Sequence, residues 1–144
     1  MYAGKKAEGL AGRQADVFID EIPERIGQVL RETLMNRLSP KGNTTSAKYR
    51  LTVLLGEPTI SSQGVRKDSF ATRYQMMYTA KYVLTAYPSG EELTKGSVSE
   101  RASYDVLASP YASDTAEETI KERLMKILGE SVSLRIGAYL EQNP

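Results

Sequence analysis

The chain contains no cysteine, no histidine and no tryptophan, and only two phenylalanines among its 144 residues. Without cysteine there can be no disulfide, no thiolate metal site and no cysteine nucleophile. Without histidine the commonest general base, the commonest metal ligand and every histidine-based triad are excluded. Neither sign of charge is in excess: 19 basic residues stand against 18 acidic ones, a net +1. The basic excess of a typical nucleic-acid binder is therefore missing, and no nucleic-acid partner is expected. No apolar run reaches the roughly 18 residues needed for a transmembrane helix. The phosphate-cradling glycine loop and the motifs H-E-x-x-H, C-x-x-C and G-x-S-x-G are absent too. An oxygen-only metal site or a carboxylate-pair hydrolase is the only chemistry left open. The expectation is a protein that is not an enzyme, with no cofactor and no metal.

What is present is tyrosine, nine of them, a residue suited to surfaces that are apolar in body and polar at the tip. Most of the organisation lies in one stretch, Lys67–Pro88, reading KDSFATRYQMMYTAKYVLTAYP. Its even positions carry Phe70, Tyr74, Met76, Tyr78, Ala80, Tyr82 and Leu84, and the odd ones Arg73, Gln75, Thr79, Lys81 and Thr85. Such alternation predicts a strand with one buried and one wet face. At about 3.3 Å per residue, twenty residues would span about 65 Å, so the strand is bent or belongs to an unusually long hairpin.

Around this stretch the other elements fall in order. Residues 1–15, rich in glycine and basic groups, read as a flexible N-terminal segment, and residues 16–144 as one domain. Asp16–Ile22 is apolar on both sides, which predicts a short strand covered on both faces or an inner strand. Pro23 opens a helix at its first position, with Ile26, Val29, Leu30, Leu34 and Leu38 on one face, and Ser39-Pro40-Lys41-Gly42 stops it. Tyr49, Leu51, Val53 and Leu55 alternate in a second strand that runs toward Ile60, with Gly56 and Pro58 bulging it. Ser61–Asp68 is read as the turn into the long strand, and Pro88-Ser89-Gly90 as the turn out of it. In Leu93–Leu107 the residues Val98, Ala102, Tyr104 and Val106 share a buried face that Glu100 interrupts, as at an edge. Ser109–Asp114 is read as a loop. Asp114 or Thr115 then caps a last helix, on which Ile120, Leu124, Ile127, Leu128, Val132, Ile136, Tyr139 and Leu140 form one stripe. Gly129 and Gly137 weaken that helix by about 1 kcal/mol each.

The order β-α-β-β-β-α, with two amphipathic helices, predicts an α+β two-layer sandwich. Both helices pack on one face of a four-stranded, mostly antiparallel sheet. The acid pairs Glu91-Glu92 and Glu117-Glu118 sit beside a turn and in a first helical turn, where acids suit the helix dipole without any catalytic role. A cationic set is more informative. Arg66 and Lys67 fall at the tip of the hairpin, and Arg73, Lys81 and Arg101 share the wet sheet face. They can serve as a solvated face that deters edge pairing, or as cations that engage the phosphates of an anionic amphiphile.

Taken together, IPERIGQVLRETLMNRLSP, KYRLTVLL, DSFATRYQMMYTAKYVLTAYPSGEELTKG and SERASYDVLASPYAS, in this order and before a long final helix, resemble the LptE family. These are the lipopolysaccharide-assembly lipoproteins of the Gram-negative outer membrane, and the likeness is closest to their alphaproteobacterial branch. It covers roughly residues 16–141. The resemblance implies two helices on a four-stranded sheet and a protein without chemistry. It also implies that the protein plugs the LptD β-barrel, assists its assembly and binds lipopolysaccharide on its way to the outer leaflet. It further implies a lipid anchor on an N-terminal cysteine that this chain lacks, hence a leader and anchor segment removed, and a periplasm-facing place at the outer membrane. The family's basic hairpin-tip residues correspond here to Arg66 and Lys67, with Arg73 beside them as lipopolysaccharide ligands. Its second implicated loop, after the last strand, has no basic residue here between Arg101 and Lys121. The rival reading is an auxiliary periplasmic lipoprotein of an ABC-type envelope transporter.

Overall fold

The computed structural model describes residues 17–40, 47–65, 71–107 and 110–142. The elements are β1 (Val17–Ile19), α1 (Glu24–Leu38), β2 (Tyr49–Leu55), β3 (Thr59–Val65), β4 (Ala71–Ala86), β5 (Glu92–Leu107) and α2 (Pro110–Gln142). Two helices and one mostly antiparallel sheet make the expected α+β layering, with five strands where four were expected. The extra strand arises because β2 and β3 are two halves of one path along the same edge of β4. Tyr49–Leu55 pairs with Ala86–Ala80, and Thr59–Val65 with Met77–Thr72. Gly56 and Pro58 break the ladder between them, as proline and glycine should. The break shifts the alternation by one residue, so that Leu51 and Val53 but also Ile60 point to the inner face, Ile60 opposite Met76.

Ser61–Asp68 is therefore not a turn through its first half. Ser61 to Val65 continue β3, a polar segment that its own propensity would leave irregular but that the ladder of β4 supplies with partners. β1 is neither an inner strand nor one covered on both faces. It pairs in parallel with β2 alone, at the edge of the sheet, and shrinks to three residues. Val17 and Ile19 are buried and Phe18 only half so, while Ile22 leaves the strand and is buried beside the start of α1. Residues 1–15, expected to be flexible, lie outside the described residues.

β4 and β5 form the long hairpin, sixteen residues to each arm. Met76, Tyr78, Ala80, Tyr82 and Leu84 are buried toward the helices, the even-numbered face that the alternation predicts. β5 is an edge strand, as the interruption at Glu100 implied. That carboxylate sits on the helix side and accepts a hydrogen bond from Ser131 Oγ on α2 at 2.9 Å. The turn joining the arms holds a cis Tyr87–Pro88 bond and Gly90 at φ +78°, closed by Gly90 N–H donating to Ala86 O at 2.8 Å.

The helix layer explains the shape of the molecule. α2, with 33 residues, is about 50 Å long, close to the ~54 Å of a sixteen-residue strand. It lies along the hairpin, packed on β4 and β5. α2 starts at Pro110 and not after a cap at Asp114 or Thr115. Proline at the first helical position has no N–H to lose and a suitable fixed φ, so the helix takes in the segment expected to be a loop. α1 has 15 residues, only about 22 Å, and lies beside α2 over β1. Pro23 is not its first residue but the extended one before it, at ψ 160°. Leu30, Leu34 and Leu38 of α1 meet Leu124, Leu128, Val132, Ile136 and Leu140 of α2 in one core with β1, β2, β4 and β5. Met125, not on the expected stripe, is fully buried as well. Gly129 is buried where the helices cross: a Cβ there would lie 2.5 Å from Thr33 Cγ2.

Candidate ligand-binding surface

Because both helices cover one face of the sheet, the other is left to solvent. Registers place Arg73, Gln75, Met77, Thr79, Lys81 and Val83 of β4 there, opposite Asp105, Ser103, Arg101, Ser99, Ser97 and Lys95 of β5. Thr52 and Leu54 of β2 continue the rows beside Val83 and Lys81. This face is mostly polar, with hydroxyls and cations set among the apolar Met77, Val83 and Leu54, and the Thr79 and Ser99 hydroxyls are 2.7 Å apart in a hydrogen bond across the strands.

The cations on it are of two kinds. Arg50 and Arg73 have acidic neighbours. Arg50 Nε donates to Asp20 Oδ1 at 2.8 Å, and Thr52 Oγ1 donates to Asp20 Oδ2, also at 2.8 Å. This clamps β1's end to β2, and the Asp20 carboxylate holds the Arg50 guanidinium above its ordinary range. Arg73 Nε lies 3.4 Å from Asp105 Oδ1, an oxygen shielded from water, while the Arg73 side chain is itself exposed. Lys81, Lys95 and Arg101 are exposed and have no ion pair among the described residues. Lys81 and Lys95 are diagonal neighbours across the hairpin, a separation of about 7–8 Å.

Of the expected site residues, the structure places Arg73 on this face together with Lys81 and Arg101. Arg66 and Lys67 lie outside the described residues. The sequence reading missed that Arg73 is faced by an acid. Asp105 follows Arg101 and Ser103 on the wet face, a signal that alternation could have offered. Which residue stands across from it depends on register. Arg135 of α2 was also missed: its Nη1 reaches the backbone oxygen of Ser97 at 3.4 Å, so a cation guards the edge of β5.

No group of three or more acidic side chains among the described residues is placed to hold a metal ion. Glu91, Glu92 and Glu118 are exposed and Glu117 half-buried. The strongest electrostatic perturbation is on the inner face. Burial pushes the Tyr78 phenol up to about 12, with Glu57, Glu118 and Glu24 adding to it. The folded pKa is thus above the unfolded value near 10. The unfolded chain releases this proton first, so stability is intact below pH 10 and falls as pH rises through 12. Denaturant midpoints measured from pH 9 to 12 should fall, and Tyr78→Phe should flatten that fall. The Tyr104 phenol, also raised by burial, acts in the same direction.

No helix among the described residues is long and apolar enough to cross a membrane. No curated protein matches the chain in sequence. Among solved structures it is similar to a Caulobacter crescentus CB15 protein described as a lipoprotein, with 19% identity and a TM-score of 0.74, covering 93% of this chain and 97% of that one. It is also similar to a minor lipoprotein of Acinetobacter baumannii, with 16% identity and a TM-score of 0.61 over 85% and 91% of the two chains. The rare lipoprotein B of Shewanella oneidensis follows, with 13% identity and a TM-score of 0.56 over 88% and 95%. These likenesses establish the same fold, a short helix and a long one over an open hairpin-built sheet. The family described as LptE, lipopolysaccharide-assembly, matches residues 14–136. That span runs from β1 through nearly all of α2, so the chain belongs to the LptE family of lipopolysaccharide-assembly lipoproteins of the cell envelope.

Proposed function

We propose that this protein plugs the LptD β-barrel of the outer membrane, assists its assembly, and binds lipopolysaccharide as it passes to the outer leaflet. The family match over residues 14–136 is the observation that carries this reading. The physical support is the open sheet face. A barrel lumen is polar, and a face made mostly of hydroxyls and exposed cations suits it, with Leu54, Met77 and Val83 as its apolar members. Lys81, Lys95 and Arg101, free of acidic partners among the described residues, are available to phosphate oxygens; Arg101 can add a bidentate fork. Arg66 and Lys67, which fall between β3 and β4 in the chain, would extend the set, and Arg73 would join it by exchanging Asp105 for a phosphate. The role requires no bond-making chemistry, and a lipid anchor on a segment preceding this chain would hold the protein to the inner leaflet.

The test has two arms. The lipid-anchored form, tagged and recovered from detergent-solubilised envelopes, should bring down one large outer-membrane β-barrel. Recovery of an ATPase and permease in its place would assign the protein to an ABC-type transporter. Separately, Arg66→Glu with Lys67→Glu, and Lys81→Glu with Arg101→Glu, should each weaken lipopolysaccharide binding about tenfold, equal to about 1.4 kcal/mol, while leaving the unfolding midpoint in place. Unchanged affinity in both pairs would remove the ligand assignment.

A further inference from the structure

The short first helix leaves a cleft in the helix layer. α1 begins at Glu24, beside the break between β2 and β3, so the inner side of β3 continues past it; Ile60 points inward there yet is 44% exposed. The cleft at this step has a volume of about 240 Å³. Its apolar wall is made by Ile22, Ile26, Val53, Leu55 and Tyr78, and its rim carries Glu24, Glu57 and Lys121. Tyr78 is only 4% exposed, and its hydroxyl has no hydrogen-bond partner among the described residues. That oxygen is not sealed from water, unlike the Tyr104 hydroxyl, so it stands as a polar handle in the apolar wall. Glu24 is held at φ +70°, a left-handed conformation costing about 1–2 kcal/mol for a residue with a Cβ. Such strain collects at positions that bind.

Charge selects the occupant. Glu24, Glu57 and nearby Glu118 all act on the Tyr78 phenol, and Lys121 offsets only one of them. Phosphate groups are repelled from such a rim, so the cleft is separate in chemistry from the cationic open face. Its volume suits one leucine- or phenylalanine-sized side chain. We propose that the cleft docks a partner polypeptide through an apolar side chain followed directly by lysine or arginine. The apolar group fills the wall between Ile26 and Tyr78, a backbone group of the partner pairs with the Tyr78 hydroxyl, and the cation lies between Glu24 and Glu57. This contact is independent of the lipopolysaccharide reading.

The experiment titrates the isotope-labelled full chain with three blocked dipeptides, acetyl-Leu-Lys-amide, acetyl-Leu-Glu-amide and acetyl-Ser-Lys-amide, following backbone amides by NMR without lipid. Leu-Lys should shift Ile26, Leu55 and Tyr78 saturably, with an affinity at least fivefold above either of the others, and the advantage should shrink with added salt. In the double variant Glu24→Gln, Glu57→Gln the preference for lysine over glutamate should vanish while that for leucine over serine stays. Both side chains are exposed, so the variant keeps its fold. Equal binding of Leu-Lys and Leu-Glu by the unaltered chain would overturn the proposal. Shifts centred on open-face residues such as Thr79 and Arg101 would overturn it as well.

Discussion

Tyr82→Ala should lower the unfolding free energy by about 3–5 kcal/mol, the range for truncating a large buried aromatic. Tyr82 is 6% exposed in the middle of β4 and directly opposite Gly96 of the edge strand β5. Its ring lies over that glycine so closely that a Cβ at 96 would be 2.6 Å from the phenolic oxygen and 2.8 Å from Cζ. The aromatic thus supplies the side-chain packing that glycine leaves out of a strand. A double-mutant cycle by urea denaturation tests this. Gly96→Ala alone should destabilise, because backbone and ring would have to part. In the Tyr82→Ala background it should change sign and stabilise by about 0.5–1 kcal/mol, since alanine costs less chain entropy than glycine. An equal effect of Gly96→Ala in both backgrounds would show that the ring does not rest on Gly96.

Gly129→Leu is expected to cost about 3 kcal/mol, the upper part of the overpacking range. Intrinsic propensity predicts the reverse, a gain approaching 1 kcal/mol for replacing a mid-helix glycine. The sign is decided by the neighbour. A Cβ at 129 would stand 2.5 Å from Thr33 Cγ2 and 2.7 Å from Thr33 Cβ, so the two helices must separate or slide. Thr33 cannot rotate out of the way cheaply: its hydroxyl donates to Val29 O at 3.0 Å, and its Cβ belongs to the helix wall. Moving α1 would open the contacts of Leu30 and Leu34, both fully buried. Gly129→Ala should destabilise by a smaller amount of the same sign. Thermal and urea unfolding of the two variants gives the measurement. Stabilisation by Gly129→Ala would mean that the helices do not pack through this glycine.

Much of the molecule was legible from local pattern. The even-numbered face of β4 needed only alternation, and Leu30, Leu34 and Leu38 needed only helical spacing. Glu100 betrayed the edge position of β5, because a carboxylate on the inner side of a central strand would have no water near it. Local pattern failed where a partner supplies the structure. Ser61 to Val65 carry too little apolar character to be recognised as a strand, and β4 makes them one. Met125 lies just off the expected stripe and is buried because α2 meets both α1 and the sheet. In the candidate site the pattern predicted that Arg73, Lys81 and Arg101 share a face. Asp20, which ties Arg50 and Thr52, went unseen, since thirty residues and a helix separate it from them.

The sequence by itself determined the two periodicities: which residues of each strand and helix are apolar, and so which faces must be buried. It also set the long reach of the hairpin and made one helix much longer than the other. Register was a matter for the tertiary structure alone. The turn pairs Thr85 with Glu92, and without interruption that register would set Arg73 against Tyr104. The buried positions of both arms are even-numbered, however, and can face the helices together only if one arm carries an extra residue. A shift between Leu84 and Thr85 supplies it, so that Leu84 meets Thr94, Tyr82 meets Gly96 and Arg73 meets Asp105. A one-residue slip would turn every side chain of one arm to the other face, and burial of the core forbids it. The same requirement determines which cations on the open face have an acid beside them and which remain exposed.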